Sequence, residues 1–270
     1  MRFKNFTLFI LATFYSLLAT SAPLSHQKIA DVDIYVISAV DSMPPAKNLI
    51  IKNKEEQEFI DAEFKKAPKN HQNILVLKHS QFVALVDTGF ENTFENVKKE
   101  LSFLNLKPED ITHLIITHAH FDHIGGAIQN NQANYINAKL CIDENDFNAW
   151  QKEKTAASVF KAYKNKILFF KHTENLLPSD LKIHAVPAYG HTPGHNIISF
   201  SENNEIKLVF WADLMHFYHV QYAHPEIAIS FDTDPLDAIQ TRKKFLKAFK
   251  ENKTPILGAH MPFGKAIILE

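Results

Sequence analysis

The segment THAHFDH sets His118, His120, Asp122 and His123 within six positions. Neutral imidazole and carboxylate are the donors that zinc and its neighbours take. In extended backbone, residues two apart point the same way, so His118 and His120 can converge on one ion. Asp122 and His123 lie on the turn that follows and can point to a second centre beside the first. One short loop cannot close two coordination spheres, so further donors must arrive from other parts of the chain. Three candidates fit: His191 in GHTPGH, Asp213 and His260. Singly, each has an ordinary explanation: His191 as a turn residue, Asp213 as a cap, His260 as a satisfied interior histidine. Together they complete a set.

Each of these residues is expected where a strand ends. A buried strand core at 114–116 runs directly into THAHFDH, and residues 124–128 read as a helix packed closely, since Gly125 and Gly126 let backbones approach. Gly190 and Gly194 permit a tight turn around His191, which Pro193 stiffens. Asp213 follows a predicted strand at 206–211, and His260 follows one at 256–257. Alternation over 31–40 predicts another strand, with Val32, Ile34, Val36 and Ser38 on one face. Runs at 74–77 and 82–86 read as a hairpin, its second arm ending in Asp87, Thr88 and Gly89. Phe94, Val97, Leu101 and Leu104 predict a helix over 92–104. Further helices are expected at 143–152 and 156–164, and strands at 181–186, 196–201 and 266–269. The last helix has Asp234 as its cap, Pro235 at its first position and an apolar stripe of Leu236, Ile239, Leu246 and Phe249. Arg242, Lys243, Lys244, Lys247, Lys250 and Lys253 read as its solvated faces. This order suits an α/β protein with helices packed outside two sheets.

The chain has 270 residues, 46% of them hydrophobic and 22% charged, which fits one globular domain. Basic residues number 29 against 30 acidic ones, so there is no positive field to attract nucleic acid. Arg2 and Lys4 precede an apolar stretch at 6–19 and then Thr20, Ser21 and Ala22, the order of a secretory signal. The stretch is shorter than the roughly 20 residues of a spanning helix. The expectation is a signal at 1–21, a domain at 22–270, a periplasmic or extracellular location and no stable membrane anchor. The lone Cys141 can form no internal disulfide, so stability must come from the core or from bound metal.

From about residue 31 onward the chain resembles the metallo-β-lactamase superfamily. The resemblance is carried by Asp87, Thr88 and Gly89, by THAHFDHIGG at 117–126, by GHTPGH at 190–195, and by Asp213 and His260. All seven glycines fall in or beside these segments. The resemblance implies a four-layer αββα sandwich with two divalent metal ions, zinc foremost, in a cleft at one edge of the sheets. It implies one ion on His118, His120 and His191 and the other on Asp122, His123 and His260, with Asp213 bridging. A hydroxide between the ions would be the nucleophile, because such cations lower the pKa of bound water toward about 7. Asp122 is then a candidate to orient it. Asp87 is either a carboxylate fixing a ligand histidine or a turn former before Gly89.

The same set narrows the branch. Flavodiiron relatives carry Glu where this chain has His120, and true β-lactamases generally lack the bridging carboxylate. Residues 211–242, with WADLMHFYHVQYAHP and FDTDP, and GAHMPF at 258–263 are similar to the exported branch that holds methyl parathion hydrolase and related lactonases. That similarity places His216 at the cleft, while His219 and His224 read as surface or core histidines. Phe121, Trp211, Phe217, Tyr218 and Phe263 are candidate walls for an acyl or aryl group, although core packing accounts for any single one. The expected activity is hydrolysis of a small-molecule lactone, carboxylic ester or phosphotriester. The alternatives are a mononuclear iron persulfide dioxygenase and a noncatalytic metal-binding protein, and the intact donor set speaks against the last.

Overall fold

The computed structural model describes residues 25–41, 46–66, 69–264 and 266–270. The signal and its cleavage point at 1–21, and the start of the domain at 22, lie outside these residues. In chain order the first half comprises β1 (Ser25–Ile29), β2 (Val32–Asp41), α1 (Lys54–Lys66), β3 (His71–Lys78), β4 (Val83–Val86) and α2 (Phe94–Phe103). Then come β5 (His113–Ile115), α3 (Phe121–Ile124), the short pair β6 (Ile128–Gln129) and β7 (Gln132–Ala133), and β8 (Lys139–Ile142). Helices α4 (Glu144–Trp150) and α5 (Lys154–Ala162) lead to β9 (Ile167–Phe169). The second half comprises β10 (Lys182–Pro187), β11 (Asn196–Glu202), β12 (Glu205–Phe210) and α6 (Tyr218–Gln221). It ends with α7 (Pro235–Glu251), β13 (Pro255–Leu257) and β14 (Ile267–Ile268).

Two main sheets result. The first runs β1-β2-β3-β4-β5-β8-β9, antiparallel as far as β4 and parallel beyond it. The second runs β10-β11-β12-β13-β14, with β12 and β13 parallel. Parallel neighbours need a crossover, and α2 and α7 supply two of them on the outer faces. Strand β2 shows how one sequence serves two layers. Val32, Ile34 and Val36 face the core between the sheets, and Ile37 and Ala39 face the helix-side core with Val97 and Leu101 of α2. On the opposite side, Leu246 and Phe249 of α7 pack on Val209, Trp211 and Ile256. The architecture is the αββα sandwich of the metallo-β-lactamase fold, as expected.

The sheets are also joined by backbone at one end. Asn73 N donates to Ala259 O at 2.8 Å, His71 N to Met261 O at 3.1 Å, and Asn196 N to Thr117 O at 2.9 Å. These seams fall beside the segments that carry His260, His118 and His191.

Three sequence expectations change. Leu236 is 73% exposed, and the inward face of α7 is Ala238, Arg242, Leu246 and Phe249 instead. Arg242 is buried rather than solvated: its Nε donates to Leu214 O, and Nη1 donates to Pro225 O and Ile227 O. The helix expected at 124–128 ends at Ile124 and continues as a single 3-10 turn, Gly125–Ala127. Close packing there holds, since a Cβ on Gly126 would lie 2.0 Å from Thr88 O. Elements α1, β1, β8 and β9 had no counterpart in the sequence reading.

Candidate metal centre

Parallel pairing of β4 with β5 brings the residues that follow each strand side by side. Asp87 leaves β4 with φ of 63°, a conformation that costs a non-glycine residue about 1 kcal/mol or more. Its Oδ1 accepts from Thr117 N at 2.8 Å, and its Oδ2 lies 2.8 Å from His123 Nδ1. Asp87 therefore both shapes the turn and fixes a histidine. With Nδ1 of His123 engaged, Nε2 is the nitrogen left to face the cleft. Thr117 Oγ1 lies 3.1 Å from His118 Nδ1 and so turns that ring the same way.

The seven expected donors come together in two groups. His118, His120, His191 and Asp213 form one, and Asp122, His123, Asp213 and His260 the other, with one donor atom per residue within 4.8 Å of the rest of its group. Asp213 belongs to both. Its Oδ1 lies 3.1 Å from His123 Nε2, and its Oδ2 lies 3.3 Å from His260 Nε2, 3.5 Å from His191 Nε2 and 3.7 Å from His118 Nε2. Asp122 Oδ2 is 3.3 Å from His260 Nε2 and 3.5 Å from His123 Nε2.

These atoms behave as donors in want of a cation. His123 Nε2, His191 Nε2 and Asp213 Oδ1 are buried without an aligned hydrogen-bond partner among the described residues. Each such atom costs about 1–3 kcal/mol if left so. Burial alone would raise the Asp213 carboxyl, yet His123, His260 and His216 hold it well below the usual carboxylate range. Burial works against a charged His123, but Asp213, Asp122 and Asp87 raise it well above an ordinary imidazole. His260 is raised against burial in the same way, by Asp213 and Asp122, to about 9. His118 and His120 are lowered well below the ordinary value, first by burial and then by neighbouring imidazoles. The first group thus offers His118 and His120 as neutral imidazoles, while a cation held by His123, His260 or the likewise raised His191 would displace protons.

His216, expected at the cleft, lies with Nε2 2.9 Å from Asp213 Oδ2 and stacks on the His260 ring at 5.2 Å. His219 and His224 stay apart from the donors: His219 adjoins Tyr218, and the half-buried His224 pairs with Glu226. Of the candidate apolar walls, Trp211, Phe217 and Tyr218 are packed into cores, and Phe263 lies by His71. Phe121 is 52% exposed against Phe90, next in sequence to His120. Sequence reasoning missed Asp232, whose Oδ1 lies 2.8 Å from His191 Nδ1. In FDTDP nothing distinguishes it from Asp234, which caps α7. Asp146 was missed too, as was Trp150, whose ring meets that of His120 edge-on at 4.8 Å.

Residues 67–260 match the family model described as the metallo-beta-lactamase superfamily. No curated protein matches the chain. Among solved structures, the chain is similar to a hydrolase of the beta-lactamase superfamily named AbOPH, with TM-score 0.78, 23% identity, and 91% of this chain and 92% of that one covered. It is similar to AidC, a dizinc quorum-quenching lactonase, with TM-score 0.74, 23% identity and coverage of 90% and 92%. A probable metal-dependent hydrolase from Staphylococcus aureus gives TM-score 0.66 and 18% identity, with coverage of 90% and 99%. These likenesses establish the fold. The match over 67–260 spans the run from β3 to His260, and the chain belongs to the metallo-β-lactamase superfamily.

Proposed function

We propose that the protein is a dinuclear-metal hydrolase that opens a lactone, carboxylic ester or phosphotriester. His118, His120 and His191 would hold one ion, and Asp122, His123 and His260 the other, with Asp213 between them. The observation that carries this reading is the sharing of Asp213 by two compact donor groups. Bound there, two cations would polarise the scissile carbonyl or phosphoryl and activate water at neutral pH. Zinc fits the imidazole and carboxylate donors, and AidC is described as dizinc.

The chain's own groups divide the remaining work. The Asp122 side chain is 14% exposed while Asp213 and Asp87 are enclosed, so Asp122 is the carboxylate placed to accept a proton from an attacking water. His216 holds Asp213 in orientation through its 2.9 Å contact. Asp87 and Asp232 fix the rings of His123 and His191. Substrate class is supported by residues 211–242, which resemble the methyl parathion hydrolase and lactonase branch. It is supported also by AidC and a second lactone hydrolase, both described with N-hexanoyl-L-homoserine product.

The test is a panel of lactones, aryl esters, phosphotriesters and a cephalosporin on one metal-loaded preparation. Lactones or activated esters are expected to exceed the cephalosporin about 100-fold in kcat/KM, or about 2.7 kcal/mol. Equal turnover of the cephalosporin and every lactone and ester would overturn the branch. Elemental analysis should find two zinc-like ions per chain; a single iron with oxygen consumption would point to the dioxygenase. We further propose that residues 1–21 direct export to the periplasm or beyond and are removed. Recovery of the protein with Met1 intact from its native host would refute this.

A further inference from the structure

Helix α4 contributes no donor, yet its side chains grip both loops of the first donor group. Asp146 is fully buried, and its Oδ2 accepts from Ala119 N at 2.7 Å and Thr192 Oγ1 at 3.0 Å. Its Oδ1 accepts from Gly194 N at 2.6 Å. Ala119 sits between His118 and His120, while Thr192 and Gly194 follow His191. One carboxylate therefore ties the loop of two donors to the loop of the third. One helical turn further along the same face, Trp150 meets the His120 ring edge-on. The start of α4 is itself anchored, since Asp143 accepts from Asn196 Nδ2 at 3.0 Å and from Tyr189 Oη at 3.1 Å. Gly194 is needed for this approach: a Cβ there would lie 2.5 Å from Asp146 N.

The second group has other supports. His123 rests on Asp87, Gln72 Nε2 donates to Asp122 O, and Asn73 Nδ2 donates to Gly258 O and Met261 O around His260. None of these belongs to α4.

We propose that Asp146 is a positioning residue for the first metal alone, setting the occupancy of that site independently of the second. The inference rests on the ligand assignment proposed above. Replacing Asp146 with Asn sets an NH2 where a carboxylate oxygen accepts, so at least one of the three donors loses its partner and the two loops are no longer held in register.

The experiment measures zinc affinity by equilibrium dialysis at fixed pH, in two backgrounds that each cripple one site. In His260→Ala the remaining ion sits in the first group, and adding Asp146→Asn is expected to weaken it about tenfold or more. In His120→Ala the remaining ion sits in the second group, and the same substitution should change its Kd less than about twofold. Equal weakening in both backgrounds, or none in the first, overturns the inference. If His120→Ala and His260→Ala singly retain two ions, the ligand assignment fails instead. Circular dichroism checks folding, and Thr192→Val, which removes one of the three bonds, decides the matter if Asp146→Asn does not fold. It should weaken the first site alone, and weakening of both sites or neither rejects the proposal.

Discussion

Asp213 turns one oxygen toward His123 and the other toward His118, His191 and His260. Two cations held close repel each other, and the shared carboxylate offsets this. Asp213→Ala is therefore expected to reduce metal content below two ions and to lower kcat/KM about 1000-fold or more, read by elemental analysis and lactone turnover. A variant with two ions and full turnover would remove Asp213 from the site. A second expectation concerns Cys141, whose thiol burial pushes up to about 12 from the ordinary 9.0. The unfolded chain releases this proton first, so stability declines as pH rises from about 9 toward about 12 and is unaffected by this group below that window. Alkylation at pH 8 should be slow in the folded protein and fast in denaturant; equal rates would contradict the burial. The seven candidate donors were readable because four of them crowd into THAHFDH and the other three stand in a glycine-flanked turn or shortly after a strand. Asp232 and Asp146 were not, because each meets its partners across dozens of residues, with no fixed spacing to betray the contact.

Legibility at the level of elements followed how much of each face is buried. Helix α2 was read from Phe94, Val97 and Leu101, which are all enclosed. Helix α1 escaped because Ile60 is its one fully buried residue, and β9 because three residues show no period. The misreading of α7 has a physical cause as well: Arg242 is followed by Lys243 and Lys244 and reads as part of one basic run, yet it turns inward. There it satisfies three carbonyls of the loop after Asp213 and lies 3.7 Å from Asp232, the partner of His191. Arg242→Met would leave Leu214 O and Pro225 O without a donor among the described residues and would remove the cation beside the buried Asp232 carboxylate, which keeps only His191 Nδ1 and Ile229 N. The expected loss is about 3–5 kcal/mol, seen as a lower denaturant midpoint. A midpoint unchanged within error would show that the loop holds without it.

The donors are divided between the two halves of the sandwich. His118, His120, Asp122 and His123 follow β5 of the first sheet; His191, Asp213 and His260 come from loops of the second. Bound cations would thus tie one half to the other, and metal binding would add directly to folding stability. Chelation is expected to lower Tm by about 10 °C, from roughly 4 kcal/mol of binding free energy at saturating metal. A Tm indifferent to chelator and to added zinc would mean that no ion spans the sheets. The sandwich itself was legible through the resemblance, but the strand order was not, since β8 and β9 enter the first sheet without a sequence signal.

The backbone seams between the sheets give this division a time axis. The amides of His71, Asn73 and Asn196 bond to carbonyls in the loops that follow strands of the opposite sheet, at Met261 and Ala259 after β13 and at Thr117 after β5. Fraying of a single strand end does not release all three, because His71 and Asn73 lie on β3 of the first sheet and Asn196 on β11 of the second, far away in the chain. Their deuterium uptake therefore registers the parting of the sheets as one event, and cations held at that end would slow all three amides by a common factor.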